Sequence, residues 1–212
     1  MKIYEYGNSD AAIVLVQPVD DHDMAGLEAE VAEIRRLAEK DFCLLAIKVD
    51  SWNRDLSPWQ APAVFGNDDF GVGAMKTLAG ILKLCQEEDK TYFLGGYSLA
   101  ALFSLWTAYQ TDTFVGIAAA SPSMWFPGFV DYMKENTIQC SNIYLSLGDK
   151  EEKTRNVVMA KVGDCIRDMH GWLKEQGINC ILEWNAGGHF REPELRTARA
   201  FAWLLEQLPF TA

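Results

Sequence analysis

The sequence predicts an α/β fold, with a doubly wound, mostly parallel sheet in one domain over residues 1–212. The first observation is a series of short, continuous apolar runs, which are typical of parallel strands buried on both faces. The second is that helical patterns separate these runs, and alternating strands and helices indicate crossover βαβ units. The third is the composition, 49% hydrophobic and 23% charged, which suits a globular protein with a sizeable core.

The beginning of the chain already shows this alternation. A strand-like segment starts at Met1, and the run AAIVLV at 11–16 predicts a central strand. A helix is predicted over 23–40, where apolar residues recur at spacings of three and four, with Asp23 as its N-cap. The run FCLLAIKV at 42–49 predicts the next strand.

Segment 50–73 interrupts the pattern. It is long and irregular, and it carries Trp52 and Trp59 among prolines and glycines. Loops of this length in a compact domain are usually functional or disordered, and the aromatic residues argue against disorder. Two interpretations stay open, a wall of a substrate pocket or a cover for the edge of the sheet.

The alternation then continues towards the C-terminus. Gly177 is expected to end a long helix in a left-handed conformation, and Pro193 suits the first turn of the last helix. The predicted helices cover 74–88, 100–106, 129–135, 156–176 and 193–207, and the predicted strands cover 92–94, 114–120, 142–147 and 179–184.

The segment GGYSLA at 95–100 joins a predicted strand to a predicted helix within a few residues. Such a sharp turn strains the residue at its apex, Ser98, and the crowding around it requires small residues at Gly96 and Ala100. This is the nucleophile-elbow pattern of α/β-hydrolases, with alanine in place of the last glycine. The elbow would aim the Ser98 hydroxyl at the carboxyl edge of the sheet and set the Leu99 N–H to bind an oxyanion. The alternative is a glycine-rich turn with a serine N-cap.

A serine hydroxyl is a poor nucleophile at neutral pH and needs a base within hydrogen-bond reach. The chain has 3 histidines, which are His22, His170 and His189. In α/β-hydrolases the order along the chain is serine, acid, histidine, and only His189 satisfies it with an acid between. His189 follows the last predicted strand in a glycine-rich loop, so it is the predicted base. His170 lies inside a predicted helix and is expected at the surface.

The acid is expected in the turn GDKEE at 148–152, which follows the second strand after the elbow. Its role would be to hold the imidazole tautomer and to stabilise the imidazolium. The spacing G-x-x-E favours Glu151, with Asp149 as the second candidate and Glu152 as the third. The interpretation as solvated turn residues must hold for at least two of the three.

A second oxyanion donor is expected after the first apolar strand, where this chain has Gln17-Pro18-Val19. Proline has no N–H, so the donor must be Gln17 or Val19. The position favours Val19.

Charge and cysteine usage limit the partners and the compartment. A net charge of −11 argues against nucleic acid or an anionic membrane surface as a partner. The 5 cysteines are dispersed without a C-x-x-C pair, which suits free thiols in a reducing compartment. No signal peptide is visible, and no apolar run approaches the roughly 18–20 residues that span a bilayer. We therefore expect a cytoplasmic protein without metal or cofactor, and the oligomeric state stays open.

Four segments, GYSLA, ASPSMWF, SLGDKEE and GGHF, occur in an order that resembles the esterase branch of the α/β-hydrolases, which includes siderophore esterases and S-formylglutathione hydrolases. The resemblance spans roughly residue 11 to the C-terminus. It implies an α/β-hydrolase fold without a separate cap domain, and a serine carboxylesterase with a Ser–His–acid triad. Ala100, and Gln17-Pro18 where hydrolases often have His-Gly, depart from the pattern.

The resulting hypothesis is a hydrolase that cleaves a small carboxylic ester or thioester through an acyl-enzyme intermediate on Ser98. Two alternatives remain, a non-catalytic binding protein on the same scaffold, and a peptidase or acyltransferase with the same triad. Candidates for the pocket wall, of which at least two are expected to be plain core residues, are Trp52, Trp59, Met124 and Trp125.

Overall fold

A seven-stranded sheet runs through residues 1–209, which are the residues described in this computed structural model. The strands are β1 Lys2–Gly7, β2 Ile13–Val19, β3 Cys43–Lys48, β4 Thr91–Tyr97, β5 Phe114–Ala120, β6 Asn142–Gly148 and β7 Asn179–Asn185. Across the sheet the order is β1-β3-β2-β4-β5-β6-β7. Only the edge strand β1 is antiparallel to its neighbour among these pairs. The predicted doubly wound, mostly parallel sheet is confirmed.

Helices cover both faces of this sheet. They are α1 Asp21–Met24, α2 Leu27–Leu37, α3 Trp52–Asp55, α4 Ala74–Leu82, α5 Leu99–Thr107, α6 Phe129–Glu135, α7 Val162–Glu175 and α8 Pro193–Glu206. One core lies between the sheet and the pair α2 and α8. The larger core lies on the other face, under α4, α5, α6 and α7. Side chains that alternate along β4 serve both cores, because Phe93 enters the first and Leu94 enters the second.

The single helix predicted over 23–40 is two helices, with the break at Gly26. Asp23 is not the N-cap. That position belongs to Asp20, whose carboxylate accepts the Asp23 N–H at 2.9 Å. Asp23 closes a capping box, because its own carboxylate accepts the Asp20 N–H at 3.3 Å. The predicted N-cap therefore lies three residues after the observed one. The chain turns sharply after β2.

Two other predicted helices are longer than the observed ones. α4 ends at Leu82 rather than near residue 88, and the acidic run at 87–89 would be unfavourable at a helix C-terminus. α7 begins at Val162 rather than at Asn156. The Asn156 side chain instead accepts the N–H groups of the second and third residues after it, at 3.0 and 3.2 Å. This local bonding competes with helix and leaves a short 3₁₀ turn in its place.

The parallel strands all end at the same edge of the sheet, and the loops that follow them meet there. In open α/β sheets this carboxyl edge is where ligands bind. The residues that follow the strand ends include Asp20 after β2, Ser98 after β4, Ser121 after β5, Glu151 after β6 and His189 after β7. No helix among residues 1–209 has the length and apolar character needed to cross a membrane.

The elbow between β4 and α5 gives a test of the packing. A Cβ on Gly96 would lie 2.7 Å from the Ala100 Cβ, whereas a Cβ on Gly171, in α7, would meet nothing within 4 Å. We expect Gly96→Ala to lower the free energy of unfolding by about 1–3 kcal/mol through overpacking. Gly171→Ala, the matched control, should raise it by about 0.5–1 kcal/mol because alanine favours helix. Urea unfolding of both variants measures this, and equal effects would contradict the packing argument.

Candidate active site

Ser98 sits at the apex of the turn between β4 and α5 in a strained backbone conformation, with φ 57° and ψ −117°. A non-glycine residue in this region costs on the order of 1–3 kcal/mol, and such strain clusters at functional sites. The Ser98 N–H donates to the Ala120 carbonyl at 3.1 Å, and its carbonyl accepts the Ser123 N–H at 3.1 Å. The end of β5 therefore fixes the turn. Leu99 is the first residue of α5, and its N–H has no acceptor within the helix.

The Ser98 hydroxyl lies within hydrogen-bond distance of the His189 ring. Ser98 Oγ is 3.0 Å from His189 Nε2. On the other side of the ring, His189 Nδ1 is 2.7 Å from Glu151 Oε2. The three side chains come from the ends of β4, β7 and β6, which lie far apart in the sequence and close together at the carboxyl edge. They form a continuous hydrogen-bonded series.

Both carboxylate oxygens of Glu151 have hydrogen-bond partners. Its Oε2 faces His189, while its Oε1 accepts the Gly148 N–H at 2.7 Å and the Ser121 hydroxyl at 2.8 Å. Burial of the carboxyl acts to raise its pKa, but the hydrogen bonds and charge of His189, with those from Gly148 and Ser121, outweigh it. The net effect lowers the Glu151 pKa below its ordinary value. Glu151 is therefore ionised at neutral pH, as an acceptor beside the imidazole must be.

Arg196 is buried beneath this series, with 1% of its side chain exposed. Its Nη1 donates to Glu151 Oε1 at 3.0 Å, to the Tyr97 hydroxyl at 3.1 Å and to the Ser121 hydroxyl at 3.2 Å. Its Nη2 donates to the carbonyl of Gly188 at 3.1 Å and to that of Ala186 at 3.2 Å. One guanidinium group thus joins the carboxylate to the loop that carries His189. These bonds offset the cost of burying its charge.

The three acidic residues of the turn after β6 have separate surroundings. Only Glu151 contacts His189. Asp149 accepts the Gly187 N–H at 2.7 Å and so fixes the loop before His189. Glu152 pairs with Arg167 on α7 at 2.5 Å. Of the three candidates, Glu151 is therefore the one that the fold brings to His189.

A cavity of about 440 Å³ opens over Ser98 and His189. The size is within the usual range for small-molecule sites, which are concave and largely apolar. Besides Ser98, the polar residues at its wall include Ser123, whose Oγ is 3.4 Å from Ser98 Oγ. Its aromatic wall is formed by Trp52, Phe65, Tyr97, Trp125 and Phe190.

Two of the four predicted pocket residues line this cavity and two do not. Trp52 and Trp125 are at the wall. Trp59 packs instead against Phe126 and Tyr132, with ring centroids 5.6 and 5.3 Å apart, and its indole N–H donates to the Pro127 carbonyl at 2.9 Å. Met124 is buried, with 1% exposed, in the core under α5 and α6. Segment 50–73 therefore contributes Trp52 to the cavity wall, while Trp59 packs against the aromatic residues of segment 126–132.

Val19, which was predicted to be the second oxyanion donor, does not line the cavity. It is the last residue of β2, fully buried, and its carbonyl accepts the Val49 N–H at 3.1 Å. In a parallel ladder a residue directs its N–H to the same neighbour as its carbonyl, so the Val19 N–H faces β3. Asp20, the next residue, is the one that lines the cavity. Leu99 is where the elbow pattern predicts it, at the start of α5.

The other two histidines differ in their relation to the site. His170 lies in α7, partly buried, and burial together with the charge of Lys174 lowers its pKa. His22 lies in α1 and lines the same cavity as Ser98. The order of residues along the chain excluded His22 as the base. Among residues 1–209, no hydrogen bond joins His22 to Ser98.

Sequence reasoning missed Arg196 and Ser121. Arg196 is on the face of α8 that also carries Ala200 and Leu204, both buried, so a charged residue at helical spacing on an apolar stripe was an available signal. Ser121 belongs to the quoted segment ASPSMWF and has φ 45°, a left-handed conformation that the sequence did not reveal. Both residues contact Glu151, so both act on the site through the carboxylate.

No protein-family model matches the chain, and no curated protein matches it. Many solved structures do match it in fold. An IroE-like serine hydrolase from Shewanella oneidensis is 14% identical with a TM-score of 0.73, over 96% of this chain and 75% of that one. The enterobactin esterase FES from Shigella flexneri is 13% identical with a TM-score of 0.60, over 95% of this chain and 55% of that one.

A carboxylesterase from Bacillus cereus is also similar, at 12% identity and a TM-score of 0.60, over 97% of this chain and 94% of that one. The present chain thus spans about half of the Shigella esterase and nearly all of the Bacillus enzyme. At these identities the likeness concerns the fold. The resemblance to esterases of this class, predicted from four short segments, is confirmed at that level, and the chain has the α/β-hydrolase fold.

Proposed function

We propose that this protein is a serine hydrolase that cleaves a small carboxylic ester or thioester through an acyl-enzyme intermediate on Ser98. The observation that carries the proposal is the hydrogen-bonded series Ser98–His189–Glu151, with distances of 3.0 and 2.7 Å. A nucleophile, a base and an orienting carboxylate in this arrangement are the requirements for activating a serine hydroxyl. The similar solved structures described as serine hydrolases and esterases support the same reaction class.

In this mechanism Ser98 Oγ attacks the acyl carbonyl while His189 Nε2 takes the hydroxyl proton. Glu151 stabilises the imidazolium that forms and keeps Nδ1 protonated. The Leu99 N–H is the proposed donor to the developing oxyanion, since it lies in the first turn of α5. His189 then gives its proton to the leaving alcohol or thiol. Water, activated by the same ring, releases the acid and restores Ser98.

The apolar cavity supports a small ester as the substrate rather than a long peptide. Its volume is about 440 Å³, and the residues that line it are mainly aromatic side chains, with Ser123 among the polar ones. Apolar contact with the acyl or alcohol group would supply binding, and Ser98 and His189 would supply the chemistry.

Ser98→Ala should lower kcat for p-nitrophenyl acetate by about 10³-fold or more, because no other group would form the acyl intermediate. The same change should abolish labelling by a fluorophosphonate probe. Ser123→Ala, which removes the neighbouring hydroxyl 3.4 Å away, should still be labelled. Activity of Ser98→Ala within tenfold of the parent, or a folded parent that resists the probe, would favour a non-catalytic binding protein. Assays with peptide substrates and with added alcohol acceptors separate peptidase and acyltransferase activity.

Glu151→Gln and Asp149→Asn should differ sharply in activity. Loss of the carboxylate beside His189 can cost about 10⁴-fold in kcat, because the imidazolium is no longer stabilised. The amide introduced by Asp149→Asn keeps an oxygen that can accept the Gly187 N–H, so this change should cost less than about tenfold. Steady-state kinetics on both variants measures the difference. Comparable losses in the two would mean that the orienting role does not belong to Glu151 alone.

Trp52→Ala should change the ranking of esters by chain length, since Trp52 lines the cavity. Discrimination in such pockets is roughly 1–3 kcal/mol per methylene-sized change. Trp59→Ala should instead lower the thermal midpoint and leave the ranking alone, because Trp59 packs against α6 residues. The measurement is kcat/KM over an acyl series for each variant beside its thermal midpoint. An unchanged ranking in Trp52→Ala would remove it from the proposed substrate site.

A further inference from the structure

A second cavity, of about 450 Å³, adjoins the one over Ser98. It lies between α1, the start of α2 and the start of α8, and we refer to it as the acidic pocket. The two cavities share lining residues, so they are neighbours. The shared residues are His22, Asp23, Tyr97, Phe190 and Pro193.

The side chains that line the acidic pocket carry carboxylates without matching cations. Asp23, Glu30 and Glu194 all line it, and no Lys or Arg among the described residues does. A fourth carboxylate, Glu192, also lines it but is 3.7 Å from Arg191 at the surface. Asp23 and Glu194 therefore give the pocket a negative character, and the buried Glu30 adds a further carboxyl group.

Two buried acceptors in this pocket lack partners. Gln17 and Glu30 line it and are 2% and 3% exposed. Gln17 Nε2 donates to Glu30 Oε2 at 3.4 Å, which is long. Within residues 1–209, Gln17 Oε1 and Glu30 Oε1 have no hydrogen-bond partner. A buried acceptor left unpaired is unfavourable, and a ligand that donates N–H groups would offer it a partner.

Burial and neighbouring charges shift the pKa values of two carboxyl groups in the pocket. Burial raises the pKa of Glu30 well above its ordinary value, and the charges of Asp23 and Glu194 raise it further. Burial, then the charge of Asp20, raises the pKa of Asp23 to about 6. A cation in the pocket would oppose each of these effects.

The groups that line the pocket suit an organic cation better than a metal ion. Among the described residues, His, Cys, Asp and Glu side chains form no group of three that could hold a metal. The unpaired acceptors call for N–H donors, which an ammonium or guanidinium group supplies.

We propose that the acidic pocket binds a primary ammonium or guanidinium group carried by the substrate whose acyl carbon reacts with Ser98. This proposal rests on the proposed esterase function and assigns its substrate class, a cationic ester or thioester. The ammonium end enters between α1 and α8 while the carbonyl stays over Ser98. Charge complementarity and the hydrogen bonds to Glu30 and Gln17 give the selectivity.

The test uses two esters of nearly equal size, p-nitrophenyl 6-aminohexanoate and p-nitrophenyl heptanoate, which differ by an ammonium in place of a methyl group. The parent protein should hydrolyse the ammonium ester with at least about tenfold higher kcat/KM near neutral pH and at low salt. The ratio should fall as salt rises, because the interaction is electrostatic. Equal kcat/KM values for the two esters would overturn the proposal.

Substitutions of the acidic residues test whether the preference for the ammonium ester arises in this pocket. Glu30→Gln and Glu194→Gln should each reduce the ratio of the two kcat/KM values by about tenfold. Glu88→Gln makes the same change of charge in the exposed turn before β4, at the opposite edge of the sheet, and should leave the ratio as in the parent. Glu194→Gln also serves if the buried Glu30→Gln variant fails to fold. A ratio that is unaffected in a folded Glu194→Gln variant would overturn the assignment to this pocket.

Binding measured without turnover separates this proposal from the proposed reaction. Calorimetry on Ser98→Ala should show hexylammonium binding at least about tenfold more tightly than hexan-1-ol, and the difference should shrink in the double variant with Glu194→Gln. A protein inactive on both esters that still shows this binding difference would refute the esterase function and keep the cation site. Equal or absent binding of both ligands would refute the cation site, whatever the esterase activity.

Discussion

The contact between Arg196 and Glu151 is the interaction on which the rest of the site depends. Both side chains are nearly fully buried, at 1% and 5% exposed. Removing one partner of such a pair leaves a buried charge without compensation, which costs about 3–5 kcal/mol. Because the guanidinium also binds the Gly188 carbonyl and the Tyr97 hydroxyl, it ties α8 to the ends of β4 and β6 and to the loop after β7. The geometry of the proposed triad is therefore built into the core of the fold.

The elbow at Ser98 and the buried Arg196 position different parts of the site. The strained turn at Ser98 is fixed by small residues and by two backbone bonds to the β5 side of the sheet. The backbone at His189 is held separately, since the Tyr97 hydroxyl donates to the His189 carbonyl at 2.6 Å. Tyr97 immediately precedes Ser98 in the chain, so one short segment positions both the proposed nucleophile and the loop of its base.

The two neighbouring cavities have different linings. Aromatic side chains from α3, from the segment after β5 and from the loop after β7 line the cavity over Ser98. The residues between α1 and α8 contribute carboxylates to the cavity next to it. An apolar wall and an acidic extension beside the proposed nucleophile would distinguish substrates by two different properties, contact area and charge.

The alternation of apolar runs and helical patterns determined the sheet, and local motifs determined the elbow, His189 and the order of the acid candidates. These features rest on spacing along the chain, which the sequence displays. The partners of Arg196, the conformation of Ser121, the separation of Trp52 from Trp59 and the burial of Val19 within β2 were decided by tertiary structure. The reason is physical: each depends on which side chains from distant strand ends meet at one edge, and sequence periodicity assigns a residue to a face without naming its neighbours.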